Sequence, residues 1–167
     1  MALFPLPPLI TLNQYGGDWE RYSAAIYKEF VDNVVNADLT FLGLPLSYQR
    51  LPEFQGMHYS FWHLITEDKE RTRRDEDRIP DMRRCERVSW IAHIIRNAGE
   101  SDSGIRCWEN ERHGNKHIVL WLEEERFLII LAKRAEYVLL KTMYCHSEWK
   151  VRKLAKECAE SKDPRKD

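Results

Sequence analysis

The sequence predicts an α+β domain, a four-stranded antiparallel meander packed with an N-terminal and a C-terminal helix. Three observations point there. Residues 105–112, 117–123, 127–133 and 137–144 are runs rich in β-branched, aromatic and aliphatic side chains. The breaks between them, at Gly114-Asn115, Glu124-Glu125 and Ala135-Glu136, are too short for a parallel crossover and fit hairpins. Helical spacing of apolar residues occurs both before and after this block.

Taken in chain order, residues 1–17 hold three prolines and an apolar run with no basic start, so they read as an extended arm laid on the surface. Residues 18–35 place Trp19, Tyr22, Ile26, Phe30 and Val34 at helical spacing, with Asp18 as the cap. Residues 40–48 and 57–66 fit strands, the first interrupted by Pro45. Residues 67–79 form a dense charge run that reads as a mobile loop. Pro80-Asp81 opens a second helix with Cys85, Val88, Ile91, Ala92, Ile95 and Ala98 as its apolar stripe and Gly99 as its stop. After the meander, residues 147–160 bury Val151, Leu154, Ala155 and Cys158 and show Lys150, Arg152, Lys153 and Lys156 outward. Residues 161–167 read as a disordered polar tail. The layout is a single domain over 1–167: arm (1–17), helix and connector (18–56), α+β core (57–160) and tail.

At 167 residues, 43% hydrophobic and 32% charged, the chain has the composition of a soluble globular domain. Net charge is −1, but residues 133–167 carry ten Lys/Arg against six Asp/Glu, so the C-terminal end is the anion-facing one. The four cysteines, Cys85, Cys107, Cys145 and Cys158, lack paired spacing and fit reduced thiols in a cytoplasmic protein. No run of about 18 uninterrupted apolar residues is present, so no membrane partner is expected.

Two-residue turns fix a register, and the register assigns faces. One face carries Ile118, Leu120, Leu122, Phe127, Ile129, Leu131, Val138 and Leu140 and belongs under helices. The other carries Arg106, Trp108, Asn110 and Arg112; His117, Val119 and Trp121; Leu128, Ile130 and Arg134; Tyr137, Leu139 and Lys141. Trp108 is expected opposite Trp121. An apolar centre ringed by Arg, Lys, Trp and Tyr suits base stacking and phosphate binding. A cover by the N-terminal helix, with the basic groups as a wet rim, accounts for the same residues. Lys141 and Thr142 point to opposite faces unless a bulge intervenes.

Among the proton-transferring groups, His63, in an aromatic segment before the charged loop, is the candidate base or acid. His113 and His117 bracket a turn without a carboxylate or thiol to complete a zinc set. No Gly-rich phosphate loop, nucleophile elbow or dinucleotide fingerprint is present, and no cofactor or metal is called for. What remains is imidazole and cationic chemistry, which suffices for cutting RNA through its 2′-OH.

The blocks Phe61-Trp62-His63-Leu64, Arg78-Ile79-Pro80-Asp81-Met82-Arg83-Arg84-Cys85-Glu86-Arg87-Val88-Ser89-Trp90, Cys107-Trp108-Glu109-Asn110 and Phe127-Leu128-Ile129-Ile130-Leu131-Ala132-Lys133-Arg134, with residues 137–144 and the basic helix after them, resemble uncharacterised phage- and plasmid-associated bacterial proteins. These are grouped with the barnase, EndoU, colicin and RelE-like nucleases (the BECR fold). The resemblance spans about residues 61–157. It implies a BECR-like fold and metal-independent RNA cleavage, with RNA as substrate and an antitoxin as possible protein partner. Within matching blocks, His63, Arg84, Arg87, Lys141, Thr142 and Tyr144 are the expected catalytic positions. Arg106, Trp108, Arg112, Trp121, Lys133, Arg134, Tyr137 and His146 are the expected RNA-binding ones. The near-neutral charge departs from the strongly basic toxins of that group. The alternative from another class is a non-catalytic nucleic-acid-binding or protein-interaction module using the same face.

Overall fold

In a computed structural model, which describes residues 5–166, the chain folds as an α+β structure around a six-stranded mixed sheet. Helix α1 (Trp19–Phe30) begins at Asp18, whose carboxylate accepts from the Arg21 amide at 3.3 Å, and runs on through one wider turn, Val31–Val35. Two short strands, β1 (Thr40–Phe41) and β2 (Leu44–Ser47), follow as a hairpin. The run from Met57 is a helix, α2 (Tyr59–Ile65), not a strand. Its Phe61, Leu64 and Ile65 recur at helical spacing and are fully buried, and Phe61 packs on Phe30 and Tyr27 at 5.5 and 4.9 Å between ring centroids. Aromatic and β-branched content had suggested a strand, but packing decided for the 3.6-residue period.

The charged loop is not loose throughout. Strand β3 (Thr66–Glu67) pairs with β4 (Ile79–Pro80), and the loop between them contains a short turn at Asp75–Asp77. The expected second helix is broken into α3 (Met82–Glu86) and α4 (Trp90–Ala98). The N-terminal arm explains the break. The Ile10 amide takes the Glu86 carbonyl at 3.1 Å, which a continuous helix would have given to the Trp90 amide; that amide bonds the Arg87 carbonyl instead. The Trp90 indole N–H donates to the Pro7 carbonyl at 2.8 Å, so the described part of the arm is pinned across the helix pair. Its first four residues, and Asp167 of the tail, lie outside the described residues.

Strands β5 (Arg106–Arg112), β6 (Asn115–Leu122), β7 (Phe127–Lys133) and β8 (Val138–Cys145) form the expected antiparallel run. The sheet is larger than a four-stranded meander, however: β2 adds beside β8 in parallel, giving the order β1-β2-β8-β7-β6-β5. The aliphatic face predicted from sequence is the main core, shared with α1 to α4. The other face packs Trp108, Val119, Trp121 and Leu128 under helix α5 (Val151–Glu160).

The described part of the tail, residues 161–166, is ordered. Arg165 donates to the carbonyls of Ala98, Glu100 and Ile105 at 2.8–3.1 Å and pairs with Asp163 at 2.9 Å, while the Glu109 amide bonds the Lys162 carbonyl. A polar composition concealed one planar cation that closes three orphan carbonyls at once.

Candidate functional site

Two departures from ideal pairing shape the second face. The β5–β6 turn is His113-Gly114, both at positive φ (52° and 77°), not Gly114-Asn115. The register therefore shifts by two, which preserves faces but puts Trp121 opposite Arg106 and Trp108 opposite Val119. The two indoles still meet diagonally, edge to face at 5.9 Å.

The second departure lies in β8. Ile130 pairs with Thr142 and Leu131 with Leu140, so Lys141 is the extra residue of a β-bulge. Before the bulge Val138 and Leu140 are buried in the main core; after it the alternate residue Met143 is, so the parity reverses. Thr142 and Tyr144 thereby turn to the α5 side, opposite to a bulge-free count. Lys141 is exposed at the rim where α2 meets β8.

On that rim a small cavity of about 140 Å³ is lined by Gln49, Tyr59, Ser60, His63, Leu139, Leu140 and Lys141. The His63 Nδ1 is buried without a partner, and the ring lies 5.8 Å from that of Tyr59. The Tyr59 hydroxyl donates to Asp75 at 3.2 Å, tying the charged loop to the cavity. Burial, and then the Arg78 guanidinium, push the His63 imidazole down to about 4; Arg84 and Lys141 act in the same direction and Asp75 opposes them. His63 is a neutral base at physiological pH.

Lys141 also acts on His117, across the sheet. His117 shares a cross-strand row with Asn110, Ala132 and Leu139. Burial lowers its imidazole, followed by Lys141, Arg112, Arg134 and His113. Those cations and the half-exposed Tyr137 surround the part of the second face that α5 leaves open. Arg112 is tempered by Glu157 at 3.9 Å.

Several predicted positions are not at this site. Trp108 and Trp121 are fully buried and cannot stack on bases. Each indole removes roughly 200 Å² from water, worth about 5 kcal/mol, more than the roughly 1–3 kcal/mol a stacked base returns. His146 is 3% exposed and bonded to Trp121. Arg106 pairs with Glu123 at 3.1 Å and lies over the Trp121 ring. Lys133 pairs with Glu109 at 2.9 Å. Arg87 sits over the Trp90 ring at 5.0 Å and bonds the Arg83 carbonyl. Arg84 approaches His63 but donates to the Thr66 carbonyl at 2.6 Å, with only 12% of its side chain exposed, so it fastens α3 to β3. Tyr144 packs beneath α5, where burial raises its phenol.

His117, Tyr59 and Asp75 were missed as site residues. The signal for His117 was its place on the same face as Lys141; none existed for Asp75 within a run of alternating charges. Among the described residues no group of three or more His, Cys, Asp or Glu side chains is placed to hold a metal ion, no helix is long and apolar enough to cross a membrane, and all four cysteines are free thiols. No family model matches the chain, and neither a curated protein nor a solved structure matches it.

Proposed function

We propose that this chain cleaves RNA endonucleolytically, without a metal ion, where Lys141 stands between His63 and His117. The observation that supports this reading is the bulge. It lifts one lysine to a rim where it acts on two imidazoles from two different elements, one in a small cavity and one on the open sheet face.

The chemistry follows from the protonation states. Neutral His63 takes the proton of a ribose 2′-hydroxyl, and the 2′-oxygen bonds phosphorus as the P–O5′ bond breaks. The Lys141 ammonium neutralises the charge that accumulates on the phosphoryl oxygens. The leaving 5′-oxygen needs a proton, and in this reading His117 gives it. Cations depress the free imidazole, but a bound phosphate offsets them and restores its proton when substrate arrives. Fragments end in a 2′,3′-cyclic phosphate and a 5′-hydroxyl. A protein partner that inhibits the activity, in the manner of an antitoxin, would cover the same open face.

The test is incubation of the purified protein with total RNA in EDTA. Cleavage with cyclic-phosphate ends is expected, reduced about 100-fold or more in both His63→Ala and His117→Ala. Intact RNA of every class at micromolar protein would overturn the reading. Binding with a salt slope but no cut would leave a non-catalytic RNA-binding module.

A further inference from the structure

Outside the Lys141 site, the most exposed large aromatic among the described residues is Trp149, 73% exposed at the turn Glu148–Lys150 that leads into α5. It lines an open groove of about 650 Å³ with Glu123, Glu124, Arg126, Glu148, Val151 and Arg152. A bare indole in water is an unfavourable arrangement that a ligand with a flat π-face would relieve. We infer that Trp149 is a base-stacking subsite for single-stranded RNA whose phosphates follow Lys150 and Arg152, an inference that rests on the RNA reading above.

Two observations carry it. The first is continuity with the Lys141 site. The Lys150 ammonium lies 5.6 Å from the centroid of the Trp149 ring and 5.8 Å from that of Tyr144, bridging the two. Tyr144 stands in the same strand as Lys141 and on the same face as Thr142. Lys150 thus links the exposed Trp149 ring to the C-terminal end of β8, the strand that carries Lys141. The strand runs about 13 Å from Lys141 to that end. An octanucleotide lies within the roughly 4–16 nucleotides a single-strand-binding domain covers.

The second observation is which charges remain free. The groove's carboxylates are engaged: Glu123 with Arg106 at 3.1 Å, Glu148 with Arg126 at 3.4 Å, and Glu124 is not free. Glu157, on the neighbouring turn of α5, accepts from the Trp108 indole at 2.8 Å. Arg152, Lys153 and Lys156 are exposed, and among the described residues they form no ion pair. Arg152 lines the groove, and with Lys153 and Lys156 on the same helix it outweighs Glu125, the one carboxylate of the neighbouring turn left unpaired among the described residues; this balance favours an anionic polymer over a basic peptide.

The experiment uses the full chain carrying His63→Ala, so that RNA is not consumed, in EDTA at low salt. Binding of a single-stranded RNA dinucleotide and of an octanucleotide is measured by fluorescence anisotropy, with and without Trp149→Ala. Octanucleotide affinity should fall about tenfold, dinucleotide affinity should stay the same, and Trp149→Phe should restore most of the loss. Unchanged octanucleotide affinity would overturn the subsite while leaving the cleavage reading standing, and would give the exposed ring to a protein partner. Equal loss for both probes would overturn it too, as damage to the Lys141 site. Normal Trp149-dependent binding by the wild type with no cleavage would support the subsite and sink the nuclease. Failure of any RNA to bind overturns both.

Discussion

The indole N–H of Trp121 donates to Nε2 of His146 at 2.9 Å, and both side chains are buried. A donor-only indole fixes the tautomer: Nδ1 carries the imidazole proton and gives it to the Ser147 carbonyl at 2.9 Å. His146 is thus spent on holding β6 to the chain after β8. His146→Leu leaves the buried Trp121 N–H unpaired, and should cost about 1–3 kcal/mol in urea unfolding. Adding Trp121→Phe should recover part of that. A single variant as stable as wild type would show that the bond contributes nothing.

His63 should make stability fall in mild acid. Its folded value of about 4 lies below the ordinary 6.5, so the unfolded chain takes up the proton first. Above pH 6.5 there is no effect. The loss grows as pH drops through 6.5 and levels off below pH 4, at about 3 kcal/mol for this residue. The lowered His58, His93 and His117 add losses of the same sign. His63→Gln should flatten the pH 4–7 profile by its share; an unchanged slope would mean that the imidazole titrates as if exposed.

Replacing Lys141 by Met removes the cation common to both imidazoles. His63 and His117 should both titrate at higher pH, by NMR of their ring protons, because a positive neighbour has been deleted. RNA cleavage should drop at least tenfold. If only one imidazole responds, the two histidines do not share the lysine.

Arg165→Lys should be nearly as harmful as Arg165→Ala, since an ammonium cannot reproduce the planar fork that reaches three carbonyls and Asp163. A loss of about 2–4 kcal/mol is expected, seen as a fall in Tm of roughly 5–15 °C. Full rescue by lysine would reduce the clasp to a simple charge effect.

How much of this was legible in the sequence depended on the range of the physics involved. Alternation alone placed Ile118, Leu120, Leu122, Phe127, Ile129, Leu131, Val138 and Leu140 on one buried face, because period-2 patterning is local. The bulge at Lys141 was not legible: it costs one unpaired residue in β8, and what it gains, burial of both Leu140 and Met143 in one core, depends on the folded sheet. The turn at His113-Gly114 eluded the reading because a histidine at positive φ is uncommon. Arg84 and Arg87 looked like phosphate ligands at the helix edge, but the distant Thr66 carbonyl claims the first, and the neighbouring Arg83 carbonyl and Trp90 indole claim the second. The Lys141 site joins α2, β6 and β8, and no local signal brings those together.

The parallel pairing of β2 with β8 sets an order of events in folding. Leu46 bonds alongside Val138, more than half the chain away, whereas β5 to β8 pair with sequence neighbours. The hairpins can zip early, but β2 has no sheet edge to join until β8 is in place, and closing that long loop carries the larger entropic cost. Until then the edge of β8 beside the bulged lysine is unpaired backbone, a template for a second copy of the chain. Substitutions that weaken the β2–β8 seam should therefore first appear as slower refolding and aggregation at high protein concentration, before any loss in the hairpins themselves.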